Sequence, residues 1–362
     1  METNTGLAQG SRSFDERLQS FARVIRTKVP VAQSPKAVVW SLNKAKLYRY
    51  TPVVPPEKRH KVPLLLVFAI MNRPYILDLM PGRSFVEFMV NHGYDVYLLD
   101  WGSPGLEDKN LKFDDYALEY LPRAIRKVKS ISGSDTFSLL GWCIGAVFCT
   151  IYAALRSDEG LQNLLLLTAP LDFSKRDSIT LAHWVDEKYF NVDRILSTFG
   201  NMPAEMIGYG AQVLKPIENF FANYWRLWDN LENARAVKAW QAMNTWATDN
   251  IPMAGAAYRQ LITDFYRNNS LIENRLMIRG EVVDLGKITA NLLNVIAMDD
   301  HITPPCQSES ILEKVSSPDK QTYRIRGGHI GIMAGSTAAK TTWPELDRWL
   351  SARSGQGNVA PN

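Results

Sequence analysis

Three residue types in the chain have the chemistry for acyl transfer: a cysteine between glycines, a pair of aspartates, and a histidine among glycines. The cysteine lies in Leu139-Leu140-Gly141-Trp142-Cys143-Ile144-Gly145-Ala146. A strand is predicted over residues 136–140 and a helix over 146–155. Gly-x-Cys-x-Gly therefore stands at a strand-turn-helix junction, the setting of a nucleophile elbow. The turn is tight, and Gly141 and Gly145 remove side chains that would collide in it. Such a turn lifts the Cys143 sulfur above a sheet edge and aims the Ile144 N–H and the helix N-terminus at an incoming carbonyl. A helix N-terminus also favours the thiolate, the nucleophilic form of cysteine. A structural cysteine buried between two glycines fits the same octapeptide, so the rest of the chain must supply a base, an acid and an oxyanion loop.

The acid and base candidates lie near the C-terminus. A strand predicted over 291–298 ends in Asp299-Asp300-His301-Ile302-Thr303-Pro304-Pro305, and one over 322–325 ends in Gly327-Gly328-His329-Ile330-Gly331. The chain order is nucleophile, then Asp299 or Asp300, then His329, each just past a strand; this is the order of the α/β-hydrolase fold. Small neighbours leave the His329 ring free to reach the sulfur, whereas His60, His92, His183 and His301 lack such a setting. Cys149 and Cys306 read as buried or loop residues. Met71-Asn72-Arg73-Pro74-Tyr75, after the apolar run 63–70, stands where a second oxyanion donor is needed.

The elements that must position these residues follow from periodicity. Apolar runs at 63–70, 95–100, 136–140 and 164–167 alternate with helical patterns at 84–91 and 113–130. Pro122 predicts a kink or break in the second helix. Alternating strands and helices with apolar strands predict a mostly parallel sheet with helices on both faces. Residues 46–51 read as a half-exposed strand, and Ser34-Pro35 reads as the start of a short helix through Leu42. From 174 to 286 strand signal fades and aromatics crowd in: Trp184, Tyr189, Phe190, Phe199, Phe220, Phe221, Tyr224, Trp225, Trp228, Trp240 and Trp246. Most are expected to be helix core. A helical cap here would form an apolar pocket and exclude water. The expected organisation is an N-terminal tail and amphipathic helix (1–33), an α/β core (34–173 and 287–353), a cap (174–286) and a loose tail (354–362).

At the N-terminus, residues 1–10 read as disordered, and Ser13-Phe14-Asp15-Glu16 is a capping box. Phe14, Leu18, Phe21 and Ile25 then share one helical stripe opposite Arg12, Arg17, Arg23 and Arg26. The stripe must bury itself against the protein's own core or against a partner or granule surface.

Composition excludes other classes. With 362 residues, 46% of them hydrophobic, the chain can bury a large core, and a diffuse net charge of +4 gives no nucleic-acid groove. Three cysteines without paired spacing form no disulfide framework, so a reducing cytoplasm is expected. The polar start lacks the apolar stretch of a signal peptide, and no apolar run approaches the ~18 residues of a transmembrane segment. No metal-ligand cluster is apparent, so no metal or other cofactor is expected.

Asn72-Arg73-Pro74-Tyr75-Ile76-Leu77-Asp78-Leu79, Val96-Tyr97-Leu98-Leu99-Asp100-Trp101-Gly102, the cysteine box and Asp300-His301 together resemble the catalytic subunits of polyhydroxyalkanoate synthases. Tyr189-Phe190-Asn191 and Phe199-Gly200-Asn201-Met202-Pro203 extend the resemblance into the cap, and it covers about residues 34–350. It is closest to the short two-subunit types, class IV before class III. The family box usually ends Gly-Gly, whereas this one ends Gly145-Ala146, as in the class IV variant. The resemblance implies Cys143 as nucleophile, His329 as base and Asp300 as acid, because the family aspartate directly precedes His-Ile. Asp300 would either orient His329 or help it activate a hydroxyl. Ile144 and the Met71–Asn72 loop would hold the oxyanion. The implied substrates are (R)-3-hydroxyacyl-CoA and the growing polyester chain, with coenzyme A entering only as the substrate's thioester. A small second subunit, a homo-oligomer and a cytoplasmic place at the polyester granule surface are implied as well.

Cysteine suits that reaction. Attack by a thiolate exchanges one thioester for another and keeps the acyl group activated for transfer to a hydroxyl, which a serine ester would not. Two other readings use the same residues. One is a cysteine hydrolase, a thioesterase or esterase, with water as acceptor; the other is a non-catalytic subunit in which Ala146 marks lost activity.

Overall fold

The structure is a computed structural model that describes residues 13–355, the side chains of Asn219 and Phe220 excepted. Arg12, residues 1–10 and the tail beyond 355 lie outside the described residues. Its frame is an eight-stranded sheet of β1 (Lys36–Leu42), β2 (Ala45–Tyr50), β3 (Leu64–Val67), β4 (Val96–Asp100), β5 (Phe137–Trp142), β6 (Leu161–Leu167), β7 (Asn291–Ala297) and β8 (Lys320–Ile325). The spatial order is β1-β2-β4-β3-β5-β6-β7-β8. β1 and β2 are antiparallel, β2 joins β4 antiparallel, and all later pairings are parallel. The central strands are apolar throughout because helices cover both faces; every residue of β3 is fully buried. Each buried leucine of this kind contributes about 1.5–3 kcal/mol.

Register places the strand ends together. Val67 of β3 pairs with Gly141 of β5, Trp142 pairs with Leu167 of β6, Leu167 with Val295 of β7, and Ala297 with Ile325 of β8. In a parallel sheet, the loops beyond these residues all emerge on one edge. Cys143, the 68–72 loop, Asp300 and His329 lie in those loops.

The helices are α1 (Phe14–Arg26), α2 (Phe85–Asn91), α3 (Leu121–Ser132), α4 (Ile144–Leu155), α5 (Val192–Phe199), α6 (Ala204–Val213), α7 (Asn223–Asp229), α8 (Ala234–Ala247), α9 (Gly255–Gln260) and α10 (Thr342–Ser351), with shorter turns between them. The Ser13–Glu16 capping box is formed in both directions. α1 docks on the cap: Phe14 and Phe21 lie 5.9 and 5.5 Å from the Trp228 ring, and the Arg17 guanidinium stacks 4.8 Å above it. No residue of α1 is fully buried, and Phe14 remains 69% exposed.

Two expectations are corrected and a third is narrowed. Residues 36–42 form β1, not a helix: Leu42 pairs with Ala45 across Asn43-Lys44, Asn43 adopts φ +50°, and hairpin pairing overrides the Ser-Pro start signal. Of the expected kink or break at Pro122 the break is absent, but the regular helical ladder is disturbed just before it. A wide turn at Tyr116–Tyr120 precedes α3 and absorbs the missing N–H within a continuous helical path. The cap aromatics are not chiefly core: Trp184, Tyr189, Phe199, Phe221 and Trp225 are exposed, and among those with described side chains only Trp246 is fully buried. The cap helices thus carry large apolar side chains that the other described residues leave exposed. Within the cap segment the only strands among the described residues are the short pair at Met277–Ile278 and Glu281–Val282.

Candidate active site

The cysteine turn has the geometry that its glycines require. Cys143 adopts φ 58°, ψ −128°, a conformation that L side chains rarely hold, and its N–H donates to Leu167 O at 3.0 Å. A Cβ at Gly145 would stand 2.1 Å from the Val67 carbonyl oxygen, and one at Gly141 would stand 2.5 Å from Ala146 Cα. The turn therefore closes only with glycine at both places. Ala146 is fully buried, and its N–H closes the first turn onto Cys143 O at 2.9 Å. The N–H groups of Ile144 and Gly145 precede the α4 ladder and so point out of the helix start beside the half-buried sulfur.

Asp300 and His329 meet in the interior. His329 Nδ1 and Asp300 Oδ2 are 2.6 Å apart, and both residues are buried. Asp300 Oδ1 accepts the N–H groups of Ile302 and Thr303 at 2.8 and 2.9 Å, which fixes the carboxylate plane. Asp299 points elsewhere and accepts the Gly327 N–H. Burial alone would lower the His329 pKa, but the charges of Asp300 and Cys143 and hydrogen bonds to both raise it to about 10. The Cys143 sulfur is thus near enough to the ring to favour its protonated form. His301 carries a buried Nδ1 without a partner, and burial holds its pKa below the ordinary value.

The expected oxyanion loop is engaged more heavily than sequence suggested. Met71 O accepts the Ile251 N–H at 3.4 Å, and the Asn72 side-chain amide donates to Asn250 Oδ1 at 2.8 Å. One Asn72 amide hydrogen and the Met71 carbonyl are thus committed to the cap. The Arg73 guanidinium faces the Asp249 carboxylate at 3.5 Å. Sequence reasoning missed several residues here. Trp101 donates to Phe68 O and Trp246 to Arg73 O, at 2.9 and 2.8 Å. The Tyr266 ring lies tilted against Phe173 with centroids 4.4 Å apart, and burial and nearby Cys143 push its phenol pKa up. The Trp101-Gly102 turn after a strand was visible as a motif, but nothing local marked Tyr266 or Asn250.

Among the described residues, no group of three or more His, Cys, Asp or Glu is arranged to hold a metal ion, and no helix is long and apolar enough to cross a membrane.

Comparison with known proteins bears on the fold and the family. Residues 80–335 match the alpha/beta hydrolase fold, and residues 19–89 match the poly-beta-hydroxybutyrate polymerase (PhaC) N-terminus. The chain is 37% identical to a poly(3-hydroxyalkanoate) polymerase subunit PhaC of Allochromatium vinosum, over 88% of this chain and 89% of that one. It is also 37% identical to the subunit of the same name from Haloferax mediterranei, over 91% of this chain and 66% of that one. A thermophilic esterase from Thermogutta terrifontis shares the fold, with a TM-score of 0.54 and 14% identity over 89% of this chain and 99% of that one. The chain has the α/β-hydrolase fold and belongs to the family of poly(3-hydroxyalkanoate) polymerase subunits PhaC.

Proposed function

We propose that the chain takes (R)-3-hydroxyacyl groups from coenzyme A thioesters and joins them into a polyester, with Cys143 as the nucleophile. A member of this family is an enzyme, an acyltransferase-type polymerase. The supporting observation is the convergence of the half-buried Cys143 with the buried Asp300–His329 pair on one sheet edge. In the first step the Cys143 thiolate attacks the thioester carbonyl, and the coenzyme A sulfur leaves and is protonated from the His329 imidazolium. In the second, neutral His329 takes the proton of an incoming 3-hydroxyl group, whose oxygen attacks the Cys143 thioester. An ester forms and the Cys143 thiolate is released. Asp300 holds the ring by Nδ1 so that Nε2 faces the sulfur, and the charge on the oxyanion falls to the Ile144 N–H and a backbone N–H of the Met71–Asn72 loop.

The chain acts in the cytoplasm, as a homo-oligomer at the surface of the polyester granule, with a small second subunit. The exposed Phe14 and Leu18 of α1 and the exposed aromatics of the cap support an outer face that other molecules cover.

Purified protein with (R)-3-hydroxybutyryl-CoA, alone and with a second subunit, tests the reading. Free thiol release with sedimentable polyester, lost in Cys143→Ala, is the expected result. Thiol release with soluble acid alone would make the chain a hydrolase. No release in either condition would overturn the catalytic assignment for this substrate.

A further inference from the structure

The 68–72 loop is tied to the cap by a dense set of contacts. Besides the Asn72–Asn250 and Met71–Ile251 hydrogen bonds, Trp246 Nε1 donates to Arg73 O, the Tyr75 hydroxyl donates to Asp249 Oδ2 at 3.0 Å, and Arg73 pairs with Asp249. Asn72 and Asn250 also form an isolated antiparallel bridge. All of the cap partners come from the last turn of α8 and the four residues that follow it.

Asn250 is the most constrained member. Its Nδ2 donates to Ala247 O at 3.1 Å, so its Oδ1 is turned toward Asn72. Gly208 of α6 lies against the same amide, where a side chain would run into Nδ2. The consequence for the loop is directional. A trans peptide carries its N–H opposite its C=O, so a Met71 carbonyl drawn to the cap turns the Asn72 N–H away from the cap. On its other side the strand that feeds the loop touches the α4 start, where Gly145 meets the Val67 carbonyl.

We propose that Asn250 is a positioning residue for acyl transfer: through Asn72 it holds the 68–72 loop with a backbone N–H aimed at the oxyanion formed on Cys143. The assignment rests on the reading of Cys143 as nucleophile and of this loop as second donor. Removing an oxyanion donor costs roughly 10²–10³ in kcat in enzymes where it has been tested, and a loosened donor costs less.

The experiment compares two reactions of Cys143 in the full chain. Acyl transfer from (R)-3-hydroxybutyryl-CoA builds an oxyanion, whereas alkylation by iodoacetamide needs the thiolate alone. Asn250→Ala should lower kcat for coenzyme A release about tenfold to a hundredfold. Its KM should stay within about twofold, because ground-state binding is untouched, and its alkylation rate should match wild type. Asn72→Ala should do the same, and the double variant should fall no further than either single one, because both remove one interaction. An unchanged kcat in Asn250→Ala, or equal losses in kcat and alkylation, overturns the assignment. So does an additive double variant. A wild-type chain that is alkylated but transfers no acyl group overturns the acyltransfer reading as well, and so separates the two failures.

Discussion

The Nδ1 of His329 sits 2.6 Å from Asp300 Oδ2, and the other Asp300 oxygen is held by two backbone N–H groups. The carboxylate can neither rotate away nor exchange its partner for water. Asp300→Asn would keep the shape and remove the charge. An amide at this position would also favour the wrong ring tautomer, with the proton on the nitrogen that faces the sulfur. We expect kcat for coenzyme A release to drop by about 10²–10⁴ with the far-ultraviolet circular dichroism unchanged. Asp299→Asn, whose carboxylate accepts the Gly327 N–H and not His329, should stay within about threefold of wild type. Equal losses in the two variants would remove the basis for choosing Asp300.

The same pair makes stability depend on pH. Burial opposes protonation of His329, but Asp300 and Cys143 raise its pKa from the ordinary 6.5 to about 10 in the folded chain. A folded pKa above the unfolded one means that the folded state binds the proton more tightly. The contribution is fully present below about 6.5 and is lost as pH rises through about 10. Urea denaturation of wild type and His329→Gln should therefore show a stability difference that shrinks across that window. A difference that is flat or grows with pH would contradict the charge arrangement.

The reach of sequence reasoning followed the range of the interactions. Cys143, Asp300 and His329 were legible because each stands within a few residues of an apolar strand and small turn residues, and strand ends in a parallel sheet gather on one edge. The β1 hairpin was not, since Ser34-Pro35 is a helix start signal and only pairing with Ala45–Tyr50 reverses it. The Asn72–Asn250 contact spans 178 positions and has no local signature. Tyr266 was hidden for the same reason: its helical segment reads as core, and only the tertiary fold brings it beside Phe173 and Cys143. The cap aromatics failed differently. Periodicity marks a side chain as apolar but does not say whether this chain supplies the surface that covers it.

Strain at the elbow yields a third prediction. Cys143 holds φ 58°, ψ −128°, a region that glycine enters freely. Cys143→Gly should raise stability by roughly 1–2 kcal/mol relative to Cys143→Ala, which keeps the Cβ and hence the strain. Both variants should lose acyl transfer. Comparing their melting temperatures isolates the backbone term, since neither carries the sulfur. Equal melting temperatures would mean that the surrounding ladder holds the turn without strain.

Crowding at the same turn sets a fourth. Gly145→Ala would drive a methyl group into the Val67 carbonyl oxygen, which is backbone of the central strand and cannot swing aside. The start of α4 must move away from β3, and the Ile144 N–H moves with it. Destabilisation of about 1–3 kcal/mol is expected, with a larger proportional loss of kcat than of iodoacetamide reactivity. Gly210, where an added Cβ meets nothing within 4 Å, is the control position, and Gly210→Ala should be neutral or slightly stabilising.

The N-terminal helix gives the last. α1 is held chiefly by Trp228, through ring contacts with Phe14 and Phe21, the stacked Arg17 and its hydrogen bond to Trp228 O. Gln241 of α8 adds a bond to Val24 O. With no residue of it fully buried, the helix leans mainly on that indole. Trp228→Ala should free α1, and trypsin should then cleave at Arg23 and Arg26 several-fold faster. Because the active-site residues lie on the sheet edge and not on α1, coenzyme A release by the chain alone should remain within about twofold of wild type. If the exposed Phe14 and Leu18 help to receive the proposed second subunit, its stimulation should weaken in the same variant. Faster cleavage with full stimulation would place the subunit elsewhere, and unchanged cleavage would show that α1 is held by contacts other than Trp228.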